Sequence, residues 1–164
     1  SIINDISAGE MDKKMMKIVG KYNVPYVMMH MKGNPQNMIR KTNYDDMLKE
    51  IIKYFSKKIN QAVSYKINDM IIDPGFGFAK DLKQNYDLLS NIDLLKILDK
   101  PIMVGISRKS MIYQSLKTNA KESLNGTTVL NTVSLIKGAS ILRVHDVKEA
   151  NECIKLISAL NNQG

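Results

Sequence analysis

Apolar residues gather in five short runs: Ile2-Ile3, Tyr26 to Met29, Met70 to Ile72, Ile102 to Ile106 and Ile141 to Val144, the last interrupted by Arg143. Runs without polar alternation suit strands buried on both faces, as in a parallel sheet. Between them the pattern changes to helical spacing. Met47, Ile51, Phe55, Ile59 and Val63 recur four apart, behind an N-cap expected at Thr42 or Asn43. Ala150, Ile154 and Ile157 form a similar stripe, and Gly126 to Lys137 reads as a further helix with Gly138 as its C-cap. Strand and helix alternate throughout, which makes the class α/β. No interdomain linker or low-complexity segment interrupts the pattern, so residues 1–164 read as a single domain.

The residues that follow each run carry the chemistry. The runs end in Asn4-Asp5, His30, Asp73, Ser107-Arg108-Lys109 and Arg143-Val144-His145-Asp146. In parallel α/β proteins ligands bind at the carboxyl ends of the strands, where the loops converge. Five polar endings in succession therefore point to one ligand-binding face. The stretch Ile71 to Lys80, IIDPGFGFAK, places a carboxylate and two aromatic rings on a glycine-rich turn. It is not a dinucleotide fingerprint, because the third glycine would fall at Lys80, and no GxxxxGK[ST] loop occurs. Pattern alone leaves open whether the strands close a barrel or form an open sheet.

Composition narrows the options further. The chain has 164 residues, 44% hydrophobic, enough for a sizeable core, and a formal charge of +8. Much of that charge is lysine at helical spacing, such as Lys13, Lys14, Lys17 and Lys21, as on a solvated helix face. Nucleic acid is not an expected partner: no recognition motif is present, and 6% aromatic residues is little for a stacking platform. A single cysteine, Cys153, forbids an internal disulfide and fits a reducing, cytoplasmic setting. With two histidines and that one thiol, a zinc cluster cannot be assembled. No run approaches the roughly 18 apolar residues of a membrane span. The chain begins without Met, directly in an apolar run, as a piece of a longer protein would.

Five motifs in order, INDIS at 3–7, MHMKGNP at 29–35, DPGFGFAK at 73–80, GISRKS at 105–110 and RVHDV at 143–147, resemble the dihydropteroate synthase family. The resemblance runs from Ile3 to about Leu160, with Ala79 standing where the family usually has glycine. It implies a partial TIM (β/α)8 barrel, with the five runs matching the family's fourth to eighth strands. The first three strands, which carry a metal-associated Asn and another pterin-binding Asp, have no counterpart. The expectation is a C-terminal portion of a synthase that, alone, is inactive and either self-associates or has a loosened core.

The family condenses 6-hydroxymethyl-7,8-dihydropterin diphosphate with p-aminobenzoate, releasing diphosphate and forming 7,8-dihydropteroate, a step of folate biosynthesis. By that resemblance Asp73 and Asn4 grip the pterin edge, a carboxylate accepting two N–H donors and an amide both accepting and donating. Met29 lies on the ring face or packs in the core. Gly77 and Gly105 let backbone approach the ligand. Phe78 offers a ring to pterin or p-aminobenzoate, while Phe76 packs under the loop. Lys109, Arg143 and His145 are the implied catalytic residues: Lys109 places charge near the reacting methylene, and Arg143 and His145, two apart on a strand and so on one face, take the diphosphate, with Val144 between them. Ser107 and Ser110 flank Lys109, Ser110 either positioning p-aminobenzoate or capping the next helix. Arg108 is expected to support its loop, and His30 is either a supporting or a core histidine. Mg²⁺ would accompany the diphosphate, and sulfonamides would mimic p-aminobenzoate. The resemblance further implies small-molecule substrates, no nucleic acid, no membrane, and a homodimer for the full-length enzyme. Two alternatives remain: a methyltransferase-type pterin barrel, which needs no diphosphate site, and a non-catalytic pterin-binding remnant.

Overall fold

Side-chain alternation along the strands divides the apolar residues between two cores. A computed structural model describes residues 1–33 and 42–161 of the chain. Asn34 and Pro35 of the MHMKGNP motif lie outside the described residues. The elements are β1 (Ile3–Asp5), α1 (Met15–Tyr22), β2 (Tyr26–Met29), α2 (Met47–Ser64), β3 (Met70–Asp73) and α3 (Leu82–Ser90). A 3₁₀ segment (Ile92–Leu98) leads to β4 (Met103–Val104), α4 (Ser110–Ser115), α5 (Leu124–Ile136), β5 (Ile141–Leu142) and α6 (Val147–Asn161).

All the strand pairs are parallel. β1 pairs with β2, β2 with β3, and β4 with β5, while a single bridge between Ile72 and Ile102 links β3 to β4. The order therefore follows the sequence, with helices between strands, and the architecture is α/β, part of a TIM barrel. Val27, Ile71 and Met103 pack together with Ile141 on one face of the sheet. The alternate residues Tyr26, Met28, Met70, Ile72, Ile102 and Val104 face the other way, against helix residues such as Met16, Val19, Phe55 and Leu88. This double burial is why the runs lack alternation. Full burial of a residue such as Ile51 or Phe55 contributes roughly 1.5–3 kcal/mol.

The helices depart from the sequence expectations in instructive ways. α2 starts behind Asp46, not Thr42 or Asn43, because the Asp46 carboxylate accepts from the Lys49 N–H. Its buried face is Ile51, Phe55, Lys58 and Ala62, and Val63 is 57% exposed. A strict four-residue spacing drifts around a helix of 3.6 residues per turn, so the stripe assumed for Val63 rotates to solvent. Lys58 instead lays its stem on the core and sends Nζ to the Ala8 carbonyl (2.9 Å) and Glu10 (3.2 Å). In α6 the buried face centres on Ala150 and Cys153, three apart, and Ile154 is turned away at 41% exposed. α5 begins at Leu124, earlier than Gly126. It ends with Gly138 N–H donating to the Leu135 carbonyl and Ala139 N–H to the Ser134 carbonyl, the double bond of a Schellman end. Among the described residues no helix is long and apolar enough to cross a membrane.

Candidate functional site

The inner face of the sheet changes character at its carboxyl end. Below, it is Val27, Ile71, Met103 and Ile141; one step along the same face come Met29, Asp73, Gly105 and Arg143. Gly105, Ser107, Lys109, Arg143, Val144 and His145 line a cleft of about 180 Å³ there. β4 and β5 are shorter than their apolar runs. The chain leaves β4 after Val104 and turns at Ile106 to Lys109, where Lys109 N–H donates to the Ile106 carbonyl. Arg143 and His145 likewise lie just beyond β5 rather than on it, although Arg143 N–H still pairs with the Val104 carbonyl at 2.8 Å.

Asp73 is 1% exposed. Its Oδ1 accepts from the Gly75 N–H at 2.8 Å. Its Oδ2 lies 2.8 Å from Arg143 Nη1, but the ion pair is not aligned as a hydrogen bond and Oδ2 has no hydrogen-bond partner. A buried carboxylate oxygen in that state is held by charge alone, and its hydrogen bond is left for a donor that takes the place of Arg143. Arg143 Nη1 also donates to Asn4 Oδ1 at 2.8 Å, so Asn4, Asp73 and Arg143 meet at one point. Gly105 makes this approach possible: a Cβ there would come within 2.6 Å of Arg143 Nη2. Asp5, beside Asn4, has no such opening. Its carboxylate accepts from Ser7 N–H and Oγ, Gly9 N–H and Tyr26 O–H, and these bonds hold its pKa low against burial.

Lys109 is half-buried, donates to the Phe76 carbonyl and lies 4.8 Å from the centre of the Phe78 ring. Burial draws its pKa down to about 8; Asp73 opposes that and Arg143 adds to it. Ser107 Oγ and His145 Nδ1 are 3.0 Å apart, and Ser107 Oγ also accepts from the His145 N–H at 3.3 Å. Ser107 thus orients the imidazole at the cleft. Arg108 turns away: it forks onto both Asp146 oxygens at 2.9 and 2.8 Å and donates to the Ala120 and Lys121 carbonyls. Its supporting role is what the sequence suggested.

Other expected residues sit at the margin. Phe76 is fully buried under its loop, and Phe78 is half-buried at the surface. Gly77 is exposed beside the Lys109 stem. Met29 is wholly buried next to Gly75, so of its two roles packing is the one displayed. Ser110 does not cap α4: it is the helix's first residue, and Lys109 holds the cap position without a side-chain bond. His30 is 5% exposed, packed edge-on to Tyr54, with Nδ1 3.2 Å from Lys80 Nζ. Sequence reasoning passed over Lys80, Asn85 and Thr127. Lys80 and Asn85 bind the loop that follows β3, and Thr127 Oγ1 accepts from the Arg108 N–H. An asparagine and a threonine inside helices were the available signal, since neither is a strong helix former.

Residues 1–145 match the profile of a family described as "Pterin binding enzyme". The chain is 37% identical over 160 residues to a dihydropteroate synthase of Escherichia coli K12, covering 96% of this chain and 56% of that protein. A bifunctional dihydropteroate synthase/dihydropteroate reductase of Helicobacter pylori is 33% identical, with 98% and 42% covered. Among solved structures, a Yersinia pestis dihydropteroate synthase with a sulfonamide drug complex superposes with a TM-score of 0.95 at 35% identity, covering 99% of this chain and 60% of that one. A Thermus thermophilus dihydropteroate synthase in complex with 6HMPPP gives 0.92 at 30%, with 98% and 64% covered. The chain spans just over half the length of the E. coli relative. The matched residues run through every strand and reach the cleft lined by Arg143 and His145, and on that basis the chain belongs to the pterin-binding enzyme family.

Proposed function

We propose that this chain carries the ligand-binding face of a dihydropteroate synthase, joining 6-hydroxymethyl-7,8-dihydropterin diphosphate to p-aminobenzoate. The observation that carries the reading is the meeting of the buried Asp73 carboxylate, ion-paired with Arg143 but without a hydrogen bond at Oδ2, with Arg143 and Asn4. Asp73 and Asn4 accept the N–H donors of the pterin edge. Arg143 and His145 take the diphosphate, the guanidinium forking onto phosphate oxygens. Lys109 sets positive charge between the two, and Phe78 lies beside it as a flat surface for an aromatic substrate. Gly105 and Val144 shape the cleft wall, Gly77 lies against the Lys109 stem, and Ser107 orients His145. Ser110, at the start of α4, is near enough to Lys109 to help orient the p-aminobenzoate side. Met29 packs beside Asp73 on the neighbouring strand.

The reaction needs no protein nucleophile. The pterin methylene C–O bond breaks with its electron pair leaving on diphosphate, and the amine nitrogen of p-aminobenzoate forms the new C–N bond and then loses a proton. A well-placed charged donor at the leaving group can lower such a barrier by roughly 3 kcal/mol. Mg²⁺ enters as the diphosphate's own counter-ion. Among the described residues no three His, Cys, Asp or Glu side chains gather to hold it, so no step is assigned to it. A single-domain chain, a cytoplasmic location, suited to the free thiol of Cys153, and a homodimer in the full-length enzyme belong to the same proposal.

The test is dihydropteroate formation by the natural polypeptide that carries these residues, with calorimetry of pterin diphosphate on the same polypeptide. Product formation together with pterin diphosphate binding is the expected result. Binding without product in the complete polypeptide marks a non-catalytic binder, and no binding at all removes the pterin assignment.

A further inference from the structure

The loop from Pro74 to Lys80 is neither helix nor strand, yet side chains hold its backbone at nearly every residue. Gly75 N–H donates to Asp73 Oδ1, Gly77 N–H to Asn85 Oδ1 at 2.7 Å, and the Ala79 carbonyl accepts from Tyr44 O–H at 3.0 Å. Lys80 Nζ donates to the Gly75 and Phe78 carbonyls, each at 3.0 Å, and its third neighbour is His30 Nδ1 at 3.2 Å. Asn85 Nδ2 donates to the Lys80 and Asp81 carbonyls at 3.1 and 2.7 Å. Lys80 is 7% exposed and Asn85 is 2% exposed.

An ammonium has three N–H donors, and Lys80 faces three acceptors. Burial draws Lys80 down to about 7, Asp73 pulls the other way and Lys109 adds to the drop; among the described residues no carboxylate bonds the ammonium directly. Spending a buried cation on two loop carbonyls and a histidine makes sense only if the shape of that loop matters. What the loop presents is clear from its contacts. Gly77, fixed by Asn85, is the floor for the Lys109 stem: a Cβ there would lie 3.4 Å from Lys109 Cδ. Lys109 in turn donates to the Phe76 carbonyl and lies over the Phe78 ring. Two clamps, Lys80 and Asn85, thus hold the backbone that carries the Phe78 ring and borders Lys109 at the cleft.

We propose that Lys80 and Asn85 are positioning residues that hold the Pro74–Lys80 loop so that Phe78 and Lys109 form a fixed shelf for a flat aromatic acid. The identity of that acid as p-aminobenzoate rests on the proposed synthase reading; the clamp itself does not. Neither residue touches substrate in this arrangement. Each acts through backbone that carries Phe78 or borders Lys109.

The test compares the native chain with Asn85→Ala and Lys80→Met. Amide exchange at Gly77 and Phe78 is expected to speed up about tenfold or more, as loss of a buried hydrogen bond implies, with Phe55 in α2 unchanged. The Lys109 ammonium, followed by NMR, is expected to titrate higher than about 8 as the loop loosens. In turnover assays of the natural polypeptide, KM for p-aminobenzoate rises about tenfold while that for pterin diphosphate stays within about threefold. Unchanged loop exchange and an unchanged Lys109 titration overturn the proposal. So does an equal loss of protection at Phe55 in both variants, which would make these residues props of the whole fold. If no turnover is found, the synthase reading fails, while exchange and titration still decide the clamp.

Discussion

Arg143 and Asn4 join the two outer strands of the sheet through side chains: Arg143 Nη1 donates to Asn4 Oδ1 at 2.8 Å, across 139 residues of sequence. The same nitrogen stands 2.8 Å from Asp73 Oδ2. One guanidinium therefore occupies both acceptors that the pterin edge would use. A ligand carrying a diphosphate offers Arg143 a better partner and frees those acceptors at the same time.

That exchange makes Arg143→Met informative. Affinity for pterin diphosphate is expected to fall at least about tenfold, because a forked charge-assisted contact is lost. A pterin without phosphates should bind no more weakly than before, since Asp73 is left clear. Asp73 is buried and loses its ion-pair partner in this variant. With Arg143 38% exposed and water able to replace part of it, a stability loss of about 1–2 kcal/mol is expected. Calorimetry with both ligands and urea unfolding measure the two effects. Equal losses for both ligands would mean that Arg143 holds the site together rather than binding phosphate.

Asp73→Asn keeps the size of the side chain and the acceptor for the Gly75 N–H, but removes the charge and one acceptor. Pterin affinity is expected to weaken by about 2–3 kcal/mol, the range for a hydrogen bond to a charged group. Unchanged affinity in a calorimetric titration would assign Asp73 to loop structure alone.

Lys109 sets a pH limit. Its pKa in the folded chain is about 8 against an ordinary 10.5, with burial the main cause. Ligand binding that uses the ammonium is present below about 8 and fades as pH rises through it. Stability moves the other way: between about 8 and 10.5 the unfolded chain holds a proton that the folded chain lacks, so this residue makes stability rise with pH. Lys109→Met should remove the binding trend and this residue's share of the stability trend, leaving the share of Lys80, which is drawn down to about 7. An affinity for pterin diphosphate that stays flat from pH 7 to 9.5 in the native chain would exclude the cation from binding.

His30 acts at the acid end. Burial, aided by Lys80 and Lys32, lowers its pKa to about 2 from 6.5. As pH falls below 6.5 the unfolded chain takes up a proton that the folded chain refuses, and stability is lost by up to about 1.4 kcal/mol per pH unit. His30→Asn puts an amide oxygen where Nδ1 meets Lys80 and has nothing to titrate. Thermal melts from pH 7 to 4 are expected to show a shallower decline for that variant; parallel curves would mean that His30 takes no part.

Ala79 has φ +51°, in the left-handed region that costs a residue with Cβ roughly 1–2 kcal/mol. Glycine removes that strain but loses more backbone freedom on folding. Ala79→Gly is therefore expected to stabilise the chain by a net of about 0.5–1 kcal/mol. A lower midpoint in denaturant would show that the buried methyl group outweighs the strain.

What was legible in the chain was local and periodic. Short apolar runs located the strands, because a strand buried on both faces needs no polar side. Polar residues after the last two runs located the cleft at the carboxyl end of the sheet, because parallel strands deliver their carboxyl ends together. Helical spacing found α2 but turned its stripe too slowly, burying Val63 on paper where the folded chain buries Lys58 and Ala62. The remainder depends on distances that no local pattern contains. Nothing near Arg143 in the sequence shows that it reaches Asn4 and Asp73, because the parallel register and the absence of a Cβ at Gly105 decide that contact. Lys80 and Asn85 look like one more lysine and an indifferent helix residue until the fold buries them, and burial is what turns their hydrogen bonds to a loop into a requirement.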